Sequence, residues 1–165
     1  MPNFTFSTAL AAAAIKQPLD FGTVSNTGGT SGIPIYVSHD AIADLLNVGV
    51  YVQPFSGSSY VGLYGASQDY LDILDWGTNA GKGLNMNMDA AATSVPFDNY
   101  FIASTGASAT NAVPFSTAMF AAGSSTDAGH FPVGNTGHMT FKASIPATET
   151  NTGLRMASLF LRFDQ

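Results

Sequence analysis

The sequence contains no cysteine. Disulfides, thiolate metal ligands and cysteine nucleophiles are thereby excluded together, and the redox compartment is left undetermined. It is also poor in charge: Asp, Glu, Lys and Arg make up 10% of the 165 residues, well under the ~25% usual for globular chains. Only five residues are Lys or Arg, and the net charge is −6. Neutralising phosphates needs clustered cations. None of Lys16, Lys82, Lys142, Arg155 and Arg162 has a cationic neighbour in sequence, so neither nucleic acid nor membrane is expected as a partner. Glu149 is the single glutamate, against ten aspartates. Asp suits turns and caps whereas Glu suits helices, so this bias points to loops and strands. No run approaches the ~18 apolar residues of a membrane span. Ala9–Ala14 could pass for the core of a leader, but no basic segment precedes it, and Thr5, Ser7 and Thr8 interrupt the apolar stretch. Export by that route is not expected.

What is present is a 45% apolar chain in which Ser, Thr, Asn and Gly replace charge. Its length is that of one domain able to bury a sizeable core. The clearest pattern lies near the C-terminal end, Gly137 to Phe163, which reads as a β-hairpin. Met139, Phe141, Ala143 and Ile145 alternate with His138, Thr140, Lys142 and Ser144, the period of a half-buried strand. Pro146 stops the run, since it has no N–H to donate. After the polar stretch Ala147–Gly153 comes a second strand, Leu154 to Phe163. Ala157, Leu159, Leu161 and Phe163 share one face; Leu154, Met156 and Phe160 lie on the other with Ser158 and Arg162. A strand apolar on both faces is either central in a sandwich or covered by another subunit.

Further strands are expected at Leu19–Val24, Ile33–Val37, Val48–Phe55, Leu84–Met88, Phe97–Ala103 and Ala112–Phe120. Pro34 places the second of these near an edge or a strand start, and Leu84–Met88, alternating with Asn, reads as an exposed edge. His39–Leu46 has the spacing of one or two helical turns, with Ile42, Leu45 and Leu46 on one side. Ser67–Trp76 is the best helix candidate, with Ser67 as N-cap, Asp69 in the first turn and Gly77 at the end. Ala121–Gly137 is a long polar loop interrupted by Phe131. Seven to nine short strands with turns between them predict an all-β fold: a single-domain antiparallel β-sandwich (jelly-roll or Ig-like) with one or two short helices. Residues 1–18 read as an N-terminal arm and 19–165 as the sandwich domain.

Motifs for chemistry are weak. Gly77-Thr-Asn-Ala-Gly-Lys-Gly83 lacks the first glycine and the Ser or Thr of a phosphate loop and follows a helix rather than a strand, so it reads as a turn. No Gly-x-Ser-x-Gly elbow occurs. Asp69, Asp72 and Asp75 share a helix face that a hard cation would suit, although a solvated acidic face has the same pattern. His130 and His138, with Asp127 nearby, would bind metal only if their loop folded back; scattered histidines are more often surface residues. A glycosidase carboxylate pair is assembled by folding rather than spacing, and nothing favours Glu149. No catalytic residue, metal or cofactor is expected. Tyr51, Tyr60, Tyr64, Tyr70 and Trp76 crowd the first half, and flat rings beside Asn, Asp and Gly suit sugar faces. Trp76, Tyr60 and Tyr64 are the glycan contacts that such a module would use, the plainer reading of Trp76 being a core plug.

Two stretches resemble structural proteins of tailed-bacteriophage virions. One runs from Ile33–Val37 through Asp44-Leu-Leu-Asn-Val-Gly-Val-Tyr-Val52 to Tyr70-Leu-Asp-Ile-Leu-Asp-Trp-Gly77. The other is the ending His138-Met-Thr-Phe-Lys-Ala-Ser-Ile-Pro146, Gly153 and Leu154–Phe163. Together they cover under half of the chain and carry the marks of a β-sandwich rather than of a chemistry. The resemblance implies a non-enzymatic building block made in the host cytoplasm, either a capsid decoration (cement) protein on the outer capsid surface or a tail or baseplate attachment module. Its partners would be the major capsid protein or other virion proteins and further copies of itself, with a trimer favoured. Cement subunits bridge capsomers and oppose internal DNA pressure by added contact area, for which ~1,000 Å² or more of packed interface suffices. Phe4, Phe6, Leu154, Met156 and Phe160 are the expected interface residues. The other reading is a carbohydrate-binding module that attaches to host-surface glycans.

Overall fold

The structure, a computed structural model, describes residues 2–10, 20–25, 32–54, 83–88, 99–100, 106, 108–144 and 157–164. The expected all-β fold is present. Among the described residues eight strands are formed: β1 (Phe4–Ser7), β2 (Ile33–His39), β3 (Leu46–Pro54), β4 (Gly83–Asn87), β5 (Asn99–Tyr100), β6 (Val113–Pro114), β7 (Gly137–Ser144) and β8 (Ala157–Asp164). They make two antiparallel sheets, of five strands in the order β1-β2-β7-β4-β5 and of three in the order β6-β3-β8.

One core lies between them. Ile35 and Val37 from β2, Met86 from β4, and Met139 and Phe141 from β7 meet Val48, Val50 and Val52 from β3. All are buried, and each set recurs at every second residue, as strand geometry requires. β6 adds Val113, and connecting segments supply the rest of the core: Leu45, Met88, Phe115, Met119, Phe120 and Phe131.

The terminal strands are where the sequence places them, but they are not a hairpin. β7 pairs with β2 and β4, whereas β8 belongs to the other sheet and pairs with β3. Alternation identifies a strand and its buried face without naming its neighbour. The twelve residues between Ser144 and Ala157 are ample to cross the ~10 Å between packed sheets.

Other expectations need correction. His39–Leu46 contains no helical turn: Leu45 is buried and bridges to Phe131, while Ile42 is fully exposed and Leu46 begins β3. The apolar spacing fits a helix by coincidence, because this segment carries the chain from one sheet to the other. Residues 20–24 form no strand, and the Asp20 carboxylate accepts from Gly22 N–H at 2.7 Å in a local turn. β4 is no edge, being flanked by β7 and β5. Ala112–Phe120 is a two-residue strand followed by a 3-10 turn at Thr117–Met119. The helix candidate Ser67–Trp76 lies outside the described residues.

Candidate functional site

Two surface regions gather polar or aromatic side chains. The first is where the β2–β3 crossing meets the loop before β7. Main-chain bonds join them: Leu45 and Phe131 exchange both hydrogen bonds, at 3.0 and 2.9 Å, and Val48 N–H donates to the Gly129 carbonyl at 2.8 Å. Asp44 clamps the same junction. Its Oδ1 accepts from Val133 N–H at 2.7 Å, and its Oδ2 lies 2.9 Å from His130 Nε2. The Val133 amide first, and then His130, hold the Asp44 carboxyl below the ordinary aspartate range. His39 braces the junction from β2. Its Nδ1 accepts from Ala41 N–H at 3.2 Å, leaving Nε2 to donate to the Phe131 carbonyl at 3.3 Å. The ring stands edge-on to Phe131, 4.6 Å between centroids.

Ser125, His130 and Asp44 form a row of the residue types found in hydrolase triads, so the geometry matters. A nucleophilic serine needs its proton directed at the imidazole within about 3.2 Å. Ser125 Oγ is 3.5 Å from His130 Nδ1, and it donates instead to the main-chain carbonyl of His130 at 3.1 Å. The hydroxyl fastens its own loop, and the row acts as a structural brace in this arrangement.

The second region is the outward face of β3 and β8. Tyr51 and Phe160 are cross-strand partners, and their rings stack at 5.1 Å and 15°. Phe160 is 38% exposed; Leu159, on the opposite, inward face, is 37% exposed at the margin of the sheet. Next along β8, Arg162 reaches back over its own sheet. Its Nε donates to the Asn47 carbonyl at 3.3 Å and its terminal nitrogen to Ala109 at 2.9 Å. Asn47 in turn donates to Asp164 at 2.7 Å. The cation is thus tied down, and the aromatic pair stands beside it.

The expected interface residues divide. Phe160 is on the surface, as its parity on β8 requires. Phe4 and Phe6 sit on β1, which pairs with β2, and both are half-buried against the chain's own core. Phe4 lies 5.2 Å from Phe163 and 6.3 Å from Phe131. Leu154 and Met156, the glycan candidates Trp76, Tyr60 and Tyr64, the aspartates Asp69, Asp72 and Asp75, and Glu149 all lie outside the described residues. His130 and His138 are not brought together as ligands: His130 meets Asp44, and His138 packs on Tyr36 with centroids 4.8 Å apart. Among the described residues no three His, Asp or Glu side chains converge as a metal site. The Asp44–His130 pair was not visible in the sequence, since 86 positions separate its members; a buried Phe131 inside an otherwise polar loop is the one local sign that this loop docks.

No family model, no curated protein and no solved structure matches the chain.

Proposed function

We propose that this protein is a non-enzymatic structural component of a virion, a decoration (cement) protein bound to the outer surface of a phage capsid. The observation that supports the reading is the split character of β8. Leu161 and Phe163 pack against the chain's own core, while Phe160, on the opposite face beside Tyr51, leaves apolar surface exposed. Aromatic and aliphatic side chains at the centre of a patch, with polar groups around them, are what a protein interface is built from. Here Arg162, Asn47 and Asp164 form that polar surround. The acidic, charge-poor composition suits packing against neighbouring proteins better than against nucleic acid.

In this role the chain works mechanically. A rigid two-sheet body presents a fixed patch, and each contact with the major capsid protein adds buried area that resists expansion of the shell. Phe4 and Phe6 contribute by holding β1 on the body rather than by reaching out. Quantifying the chain in purified particles tests the reading. Hundreds of copies per particle, with removal lowering the temperature at which the shell releases DNA, are expected. A few copies, or none, would overturn it. Glycan-array binding abolished by Trp76→Ala would put an attachment module in its place.

A further inference from the structure

The two sheets end on four strands, β1, β5, β6 and β8. β1 is four residues long, β5 and β6 two each, and β6 includes Pro114. Short strands and proline are the usual ways in which a sheet blunts an edge. β8 is different. It has eight residues, ASLFLRFD, with neither proline nor lysine, and no described residue pairs with its outer side.

The phase of that outer side follows from β3. Val48 and Val52 direct their N–H groups to Gly129 and Gly106, and Phe115 donates to the Val48 carbonyl. Even-numbered groups of β3 therefore point away from β8, and odd-numbered Gly49 and Tyr51 point toward it, at Arg162 and Phe160. Because main-chain groups alternate sides along a strand, Leu159, Leu161 and Phe163 turn their N–H and C=O groups outward. Among the described residues nothing pairs with this continuous row of donors and acceptors, the template for strand addition.

We infer that β8 pairs antiparallel with β8 of a second copy of this chain, about a two-fold axis passing between the two Phe160 residues. Pairing of this kind requires outward-turned residues to face each other, odd opposite odd, and β8 meets that condition against itself. Four registers satisfy it near the middle of the strand, and those with the axis at Leu159 or Arg162 pair five residues of each copy, against seven with the axis at Phe160 or Leu161. An axis at Arg162 would set two guanidinium groups face to face. An axis at Leu161 would set each Arg162 diagonal to its copy. Of the two registers that pair seven residues, the axis at Phe160 sets Arg162 opposite Ser158 and holds the two cations farther apart, so strand length and charge together select it. Phe160 then meets its copy in a non-hydrogen-bonded position, where Cα atoms approach ~4.5 Å and side chains are closest. The stacked Tyr51–Phe160 pair becomes a row of four rings. Leu159 and Leu161 exchange main-chain bonds across the axis, and each three-stranded sheet joins its copy as one sheet of six. The pairing is isologous and closes at two.

The chain's lack of cysteine allows a direct test on the full-length protein. Sedimentation equilibrium is expected to give twice the 17.1 kDa chain mass at micromolar concentration. Leu159→Lys places a cation at the edge without touching a fully buried position, and it is expected to yield monomer with an unchanged circular dichroism spectrum. Phe160→Cys is expected to form an interchain disulfide under mild oxidation, and Ser158→Cys is not, because residue 158 faces 162. A monomer at every concentration, a trimer, or a dimer that survives Leu159→Lys and fails to cross-link at 160 would each overturn the pairing. Should Leu159→Lys prove misfolded, the 160 and 158 cysteine variants still decide the register. The pairing uses the same strand as the capsid reading, and particles tell the two apart: a dimer absent from virions would sink that reading and leave this one standing.

Discussion

At the scale of single residues, Asp44 and Gly129 carry the most structure for their size. Asp44 is tied to Val133 and His130, with its carboxyl held below the ordinary range. A lowered folded-state value means that ionised Asp44 stabilises the fold above the unfolded aspartate value of about 3.9, and that this contribution is lost as pH falls through the folded value. Asp40, which accepts from both the main-chain and side-chain nitrogens of Asn3 at 2.6 and 2.7 Å, has the same sign. Asp44→Asn is therefore expected to be less stable than the parent at about pH 7 and to converge with it at about pH 2, as read from urea midpoints. A gap that persists in acid would assign the loss to geometry instead of charge. Gly129 has φ +79°, and an added Cβ would stand 3.3 Å from the Asn47 Cα, which is backbone and cannot step aside. Gly129→Ala is expected to cost about 1–3 kcal/mol by chemical denaturation, more than a surface Gly→Ala change such as one at Gly123, where space is open but φ is also positive.

At the scale of elements, the segment Gly129–Phe131 does what a strand would do without being one. It bonds to Leu45 and Val48 on one side, and through Gly129 N–H to the Phe115 carbonyl on the other. Phe131, fully buried, contacts the rings of His39, Phe4, Phe115 and Phe120 at 4.6 to 6.3 Å. Truncating it removes the hub of that cluster. Phe131→Ala is expected to lose about 3–5 kcal/mol, in the range of core aromatic deletions, and to release β1 as well, because Phe4 loses its support. Faster exchange of the β1 amides in the variant, beyond the global loss, would be the measurable sign. β1 itself is short, and its first turn of contacts depends on Asn3 with Asp40. Asn3→Ala is accordingly expected to fray residues 3–5 while leaving the unfolding midpoint within about 0.5 kcal/mol.

At the scale of the whole molecule, the connectivity separates neighbours in sequence. β2 and β3 lie in different sheets, as do β7 and β8, so each consecutive pair spans the core instead of forming a ladder. A cysteine pair distinguishes this from a terminal hairpin. Tyr36 and His138 are ladder partners on β2 and β7, within the Cα separation that a disulfide accepts. Tyr36→Cys with His138→Cys is expected to oxidise within one chain and to raise the melting temperature. Failure to close would contradict the sheet order.

Local residue pattern was enough to fix the all-β class and the position of the longer strands. Period-two alternation in Ile33–Val37, Val48–Val52, Gly137–Ser144 and Ala157–Phe163 is a local property, fixed by which face must leave water. It also showed β8 to be apolar on both faces. Which strand lies beside which was decided only by the tertiary structure, since pairing depends on contacts between residues dozens of positions apart that no local pattern encodes. The same holds for Asp44 with His130, for Phe131 at the centre of its cluster, and for Phe4 turned inward. Ile42, Leu45 and Leu46 mark the limit most plainly: their spacing suits a helix, but the segment crosses between the two sheets without a helical turn, and of the three the core takes Leu45 alone.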